Sequence, residues 1–159
     1  MLTRRATVSD AVAISDLVNY YAERGRMLHR SLEAIYEMLR EFVVAEDDGR
    51  IVGCVAVDIF WSDLAEIKSL AVVPERCGQG VGRMLVEAAE ADAGKVGVKK
   101  LFALTYEKGF FLSRGYEPID RDTLPEKVWR ECIACAKFDA CDEIAMIKNL
   151  TQQAQGIER

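Results

Sequence analysis

The spacing of apolar residues changes along the chain, and each change marks an element. A short strand is expected over 2–6. Behind Ser9, read as a helix N-cap, Val12, Leu17, Val18 and Tyr21 recur at helical spacing, and Gly25 supplies the stop. Ser31 opens a second helix with Ile35, Leu39 and Phe42 on one face. Apolar runs over 42–45 and 51–57 read as strands, and the Asp48-Gly49 pair between them is a two-residue hairpin signal. A strand over 66–73 ends at Pro74, and a helix over 83–93 carries Leu85, Val86 and Ala89 on one face. Then follow a strand over 101–106, a short helix over 108–114, a strand over 116–119, a helix over 124–132 and a final strand over 143–148.

This order gives an α/β (α+β) chain with a mixed sheet and helices packed on it. No repeat or linker interrupts it, so residues 1–150 are expected to form one domain, with 151–159 a polar tail. Half the residues are hydrophobic and 30% are charged, the balance of a soluble globular protein. No apolar run approaches the roughly 20 residues needed to span a bilayer, and no apolar stretch follows Arg4 and Arg5, so neither a membrane role nor a secretion signal is expected. The expected location is cytoplasmic, with the five cysteines reduced. A net charge of −5 argues against a nucleic-acid partner, which calls for a basic surface.

The most informative segment runs from Ala71 to Arg83, where a strand enters a loop carrying Gly78, Gly80 and Gly82 and the loop opens a helix. Glycines let successive N–H groups converge, and the helix start adds about half a positive charge. Together they suit a phosphate or pyrophosphate, with Arg76 and Arg83 near in sequence. The alternative is a tight turn with no ligand. No Gly-Lys-Ser/Thr follows, so this is not a Walker loop, and the preceding strands and helices make it a poor dinucleotide fingerprint.

The segment resembles the acetyl-CoA loop of the GNAT superfamily of acetyltransferases, Gln/Arg-x-x-Gly-x-Gly/Ala after a strand ending Val-x-Pro. Pro74, Gly80 and Gly82 match; Cys77 stands at the leading Gln/Arg position, with Arg76 one residue earlier. The resemblance implies a mixed, mostly antiparallel central sheet with helices on both faces. It also implies acetyl-CoA as co-substrate, held by Leu70, Ala71, Val72, Val73, Arg76, Cys77, Gly78, Gln79, Gly80, Val81, Gly82 and Arg83, with the amides of 79–83 on the pyrophosphate. The stretch Phe110-Phe111-Leu112-Ser113-Arg114-Gly115-Tyr116 resembles the family's Phe-Tyr-x-x-x-Gly-Phe, with Phe111 where a tyrosine general acid is frequent. Residues 27–33, 53–56, 65–72, 101–105, 124–132 and 141–146 are similar to one branch, the short single-domain N-acetylglutamate synthases. That likeness covers roughly residues 2–150. It implies acetyl transfer to the α-amine of an amino acid, L-glutamate first, by direct attack in a ternary complex, as the opening step of arginine biosynthesis. Many members pair through their C-terminal strands, which is compatible with a homodimer; the sequence does not fix the oligomeric state.

An amino-acid amine is mostly protonated at neutral pH, so a base helps, and Glu66 is the candidate, acting through a water. Its other reading is a solvated strand-edge carboxylate. By resemblance to the family, amides of the strand over 70–73 are expected to donate to the developing oxyanion. Tyr106, Tyr116 or, less readily, Ser113 is expected to protonate the departing thiolate, and the sequence does not choose among them. By resemblance Leu28 and Arg30 bind the amino acid; a guanidinium fork matches a carboxylate, and Lys68 is a second cation. Asp58 points away from glutamate, because it stands where an acidic substrate calls for a base. His29 is read as a surface or packing residue, as are Trp61 and Trp129, and Glu46-Asp47-Asp48 as a turn. Cys132, Cys135 and Cys141 lack the second Cys-x-x-Cys of a strong zinc signal, so packing thiols are favoured over zinc ligands and no metal residue is assigned. Cys77 near a helix start is a candidate for oxidation. Two further readings stand beside the synthase: transfer to another amino acid or small amine, and a non-catalytic acyl-CoA-binding module, suggested by Cys77 and Phe111.

Overall fold

The computed structural model describes residues 1–125 and 143–150. The chain forms two compact units, one from Met1–Asp58 and Ile67–Asp92, the other from Ile59–Glu66 and the chain after Asp92.

In the first unit, β1 (Leu2–Arg5) pairs antiparallel with β2 (Phe42–Asp47), and β2 with β3 (Arg50–Trp61). Asp47 and Arg50 face each other across a two-residue turn in which Asp48 and Gly49 both have positive φ, 51° and 76°, the hairpin geometry that Asp-Gly favours. Helices α1 (Ala11–Ala22) and α2 (Leu32–Glu37) bury Ile14, Leu17, Val18 and Ile35 in a core with Phe42, Val44, Cys54, Ala56 and Ala71. Ser31 caps α2 as expected, its hydroxyl accepting from the Ala34 amide at 3.1 Å. The helix ends at Glu37, however. Leu39–Glu41 is a 3-10 turn, and Phe42 belongs to β2 rather than to a helix face.

The cap of α1 also differs from the sequence reading. A 3-10 turn, Val8–Asp10, precedes the helix, and the Asp10 carboxylate, not Ser9, accepts from the Thr7 amide at 2.8 Å. Thr7 and Asp10 form a capping box, and the Arg4 guanidinium forks onto Asp10 at 2.7 and 3.0 Å, holding the buried side chain inward.

Strand β4 (Leu64–Val72) starts two residues earlier than 66 and carries Ser69 at φ 53°, a left-handed conformation unusual for a residue with a side chain. After it α3 (Val81–Lys95) packs on β3 at Gly53. A Cβ at Gly53 would lie 2.8 Å from Leu85 Cδ1, 3.0 Å from Val81 Cγ1 and 3.1 Å from the Ala71 carbonyl oxygen.

In the second unit, β4 runs parallel to β5 (Lys100–Thr105) over Leu64–Glu66, and β5 pairs antiparallel with β7 (Ile144–Asn149) along six residues. Helix α4 (Lys108–Ser113) leads to β6 (Glu117–Pro118), which pairs with β7. Phe102, Leu124 and Ala145 form the core with Phe60, Leu64, Leu104, Ile119 and Ile147 around it. The helix expected from 124 is preceded by a 3-10 turn, Arg121–Thr123, and Leu124 itself is extended. The rest of that segment, with Trp129, Cys132, Cys135 and Cys141, lies outside the described residues, as does the tail 151–159. Among the described residues the strands follow the order β1-β2-β3-β4-β5-β7-β6, so β7 inserts between β5 and β6. β1–β2, β2–β3, β5–β7 and β6–β7 are antiparallel and β4–β5 is parallel, giving the mixed, mostly antiparallel sheet that the family resemblance implied.

Candidate functional site

Strand β4 hands over to the glycine loop through a 3-10 turn, Pro74–Arg76, in which proline fits the first position because its missing N–H has no acceptor to serve. Gly78 and Gly80 then adopt φ 80° and 86°, and a Cβ on either would meet nothing within 4 Å. Glycine is needed here for its conformation rather than for room, and the loop's outer side is open. Helix α3 begins at Val81, so the amides of Val81, Gly82 and Arg83 have no carbonyl of the preceding helical turn to donate to. The nearby cations are drawn sideways. Arg76 pairs with Asp47 at 2.7 Å, which holds the Asp47 carboxyl below its usual range, and Arg83 pairs with Glu87 at 3.1 Å. The Gln79 side chain donates from Nε2 to the Glu75 carbonyl at 3.2 Å. Attraction for an anion therefore comes first from the backbone amides and the helix start, and only secondarily from arginine.

Of the strand amides proposed as oxyanion donors, that of Val73 is already engaged, donating to the Val52 carbonyl at 2.9 Å. The other end of the same peptide group is held too, because the Val72 carbonyl accepts from the Tyr21 hydroxyl at 2.5 Å. Sequence reasoning placed Tyr21 on the apolar face of α1 and missed this bond. A tyrosine among aliphatic residues, with a polar tip needing a partner, was the available signal. Burial, and next the Cys77 thiol 3.8 Å away, push the Tyr21 hydroxyl up to about 12, so it keeps its proton and donates. Cys77 is exposed, its sulfur 3.7 Å from the Val73 carbonyl.

Of the amino-acid candidates, Leu28 is half-buried, His29 is exposed, and the Arg30 backbone is clasped by Asn19. The Arg30 amide donates to Asn19 Oδ1 at 2.9 Å, and its carbonyl accepts from Asn19 Nδ2 at 2.7 Å. Lys68 is bonded to Asp58 at 2.7 Å, with 10% of its side chain exposed. Asp58 is thus the counter-ion of Lys68, which explains an acidic residue that the sequence left awkward.

In the second unit Glu66 is 9% exposed, on the strand turn of β4 that pairs with Phe102, and is not a solvated edge carboxylate. Tyr106 follows β5 and is half-buried. Tyr116 is 1% exposed, stacked edge-on against Phe111 at 5.1 Å with the Lys148 ammonium 5.5 Å from its ring centre. Ser113 is exposed and donates to the Phe110 carbonyl at 2.6 Å, an ordinary helix-end bond. Phe111 and Tyr116 are therefore packing partners, and of the three hydroxyls Tyr106 alone combines partial burial with access. Cys54 is buried, which pushes its thiol up to about 12. Among the described residues no group of three or more His, Cys, Asp or Glu is placed to hold a metal.

Comparison with known proteins agrees with this geometry. A family model described as "Acetyltransferase (GNAT) domain" matches residues 39–118, from the 3-10 turn before β2 through the glycine loop to β6. An uncharacterized N-acetyltransferase of Chlorobaculum tepidum is 48% identical over 147 residues, covering 92% of this chain and 95% of its own. An amino-acid acetyltransferase of Mycobacterium tuberculosis is 36% identical over 141 residues, covering 87% and 79%. The solved N-acetylglutamate synthase of Neisseria gonorrhoeae, complexed with coenzyme A and N-acetyl-glutamate, superposes with a TM-score of 0.86 at 30% identity over 94% of this chain and 35% of the synthase. With the loop, the helix start and these relatives in agreement, the chain belongs to the GNAT family of acetyltransferases and uses acetyl-CoA as acyl donor.

Proposed function

We propose that the protein acetylates the α-amine of an amino acid, L-glutamate first, in the cytoplasm, as a step of arginine biosynthesis. The observation that carries this reading is the likeness, over 94% of the chain, to a synthase complexed with coenzyme A and N-acetyl-glutamate. The cofactor side fits: Gly78 and Gly80 leave open space where a pyrophosphate approaches, and the α3 start supplies donors. When bound, acetyl-CoA supplies an activated acyl group that an amine can attack.

The chain's own residues then have separate tasks. Glu66, mostly out of solvent, takes the proton from the amine directly or through a water. Strand amides of β4 before Val73 donate to the acyl oxygen as charge develops there. Tyr106 returns a proton to the leaving sulfur. Arg30, set by the Asn19 clasp, takes a carboxylate of the amino acid.

The Asp58–Lys68 pair favours a second reading, an amino acid other than glutamate, because Lys68, the second cation assigned to the substrate, already has its counter-ion. Incubation with acetyl-CoA and an equimolar amino-acid panel, read by mass detection, tests both. N-acetylglutamate as dominant product supports the first reading, and another acetylated amino acid supports the second. Coenzyme A binding with no product on any amine overturns both in favour of a non-catalytic acyl-CoA-binding module.

A further inference from the structure

Helix α1 reaches both of the segments assigned above to ligands. Asn19 and Tyr21 lie two residues apart, about 200° around the helix, so they face opposite ways. Asn19 holds the Arg30 backbone by two bonds, 2.9 and 2.7 Å. Tyr21 holds the Val72 carbonyl at 2.5 Å. Because the Val73 amide is bonded to Val52, the peptide group between β4 and the Pro74 turn is fixed at both ends. The helix end is itself tightly closed: Arg24 and Arg26 amides both donate to the Tyr21 carbonyl, at 3.1 and 3.0 Å, and Gly25 donates to Ala22 at 3.0 Å. Arg24 covers the Tyr20 ring at 3.5 Å and bonds the Tyr20 carbonyl at 2.6 Å. A shift of this last helical turn cannot move one segment without pulling on the other.

We infer that Asn19 and Tyr21 are positioning residues through which the last turn of α1 couples amino-acid binding to acetyl-CoA binding, so that each ligand tightens the other. The inference rests on the proposed roles of the Arg30 segment and the glycine loop. Each ligand that orders its own segment restricts the shared turn, and the second ligand then meets a segment already in place. Such coupling is reciprocal: the factor by which glutamate tightens coenzyme A equals the factor by which coenzyme A tightens glutamate. Neither side chain needs to touch a ligand for this to hold.

The test is calorimetric titration of coenzyme A with and without saturating L-glutamate, and of L-glutamate into the coenzyme A complex. The proteins compared are the wild type, Tyr21→Phe, Asn19→Ala and the neighbouring control Tyr20→Phe. The wild type is expected to bind coenzyme A about fivefold or more tightly when glutamate is present. In Tyr21→Phe the ratio should fall below about twofold, because the ring stays and only the bond to Val72 is lost, and Tyr20→Phe should keep the wild-type ratio. Asn19→Ala should lose the coupling as well, and it decides the matter if Tyr21→Phe does not fold. A wild-type ratio retained in Tyr21→Phe, or a wild type that binds both ligands without coupling, overturns the inference and leaves the proposed function standing. Failure of the wild type to bind glutamate at all removes the proposed substrate instead, and the inference with it.

Discussion

Replacing Gly53 by alanine adds one methyl where α3 crosses β3. Carbon atoms in contact settle at about 3.5–4.0 Å, whereas the new Cβ would start 2.8 Å from Leu85 Cδ1 and 3.0 Å from Val81 Cγ1. Leu85 could rotate its methyl away, but it is fully buried, and a forced rotamer costs about 0.5–1.5 kcal/mol. Val81 is β-branched and stiff, and the third neighbour, 3.1 Å away, is the backbone oxygen of Ala71, which cannot rotate at all. Overpacking of this kind costs about 1–3 kcal/mol. Against it stands a gain of about 0.5–1 kcal/mol, since glycine inside a strand is less favourable than alanine. At the middle of each range the clash wins, and Gly53→Ala should be less stable by about 1 kcal/mol, or ~2–4 °C in Tm for a chain this long. Relief comes by lifting α3, and Val81 is its first residue, so the amides next to the glycine loop move with it. The KM for acetyl-CoA should therefore rise more than kcat falls. Thermal melts and steady-state kinetics measure both effects. Adding Leu85→Val, which removes the closest methyl, should cost less in the Gly53→Ala background than in the wild type. A Gly53→Ala protein at least as stable as the wild type, with unchanged KM, would refute the packing argument.

Arg30→Ala should raise the amino-acid KM by about tenfold or more, the worth of a charge-assisted bond, while Lys68→Gln should change KM little because Lys68 already serves Asp58. Arg4 holds the Asp10 carboxyl below its ordinary range, so the pair's contribution is present above the unfolded carboxylate value near pH 4 and is lost as pH falls through the folded one. Asp10→Asn should accordingly cost about 1.5–3 kcal/mol at pH 7, and urea melts should show the gap to wild type closing below about pH 4; a gap of constant size would contradict it. Peptide mapping after iodoacetamide treatment of the folded protein should find Cys77 alkylated and Cys54 intact, with coenzyme A slowing the reaction at Cys77. Equal labelling of the two would count against the burial of Cys54.

Several elements were legible because the deciding interactions are local. Asp48-Gly49 announced its hairpin, since both residues tolerate the positive φ that the turn imposes, and Ser31 announced α2, since its hydroxyl reaches an amide three residues on. The glycine loop was legible for the same reason. What failed depended on partners distant in sequence. The start of α1 is the exception: its Thr7–Asp10 capping box is local, and Arg4 holds the Asp10 carboxylate that completes it. The strand expected to stop at Val57 continues to Trp61 because Asp58 finds Lys68, ten residues away, and so is no interruption. Gly53 read only as a glycine in a strand, since the helix that forbids a side chain there lies some thirty residues further on. Among the three hydroxyls, Tyr116 and Tyr106 carry the same chemistry, and burial, not sequence, separates them. The insertion of β7 between β5 and β6 depends on pairings no local pattern encodes.

The doubly held peptide between Val72 and Val73 has a use in spectroscopy. Its N–H proton is bonded to Val52 while its oxygen is bonded to Tyr21, so exchange with solvent deuterium requires an opening that breaks the β3–β4 ladder at its last rung. The Val73 amide is thus a single-proton gauge of the junction where the strand becomes the acetyl-CoA loop. Its exchange rate, read residue by residue, reports how often that junction opens, without a label and without catalysis.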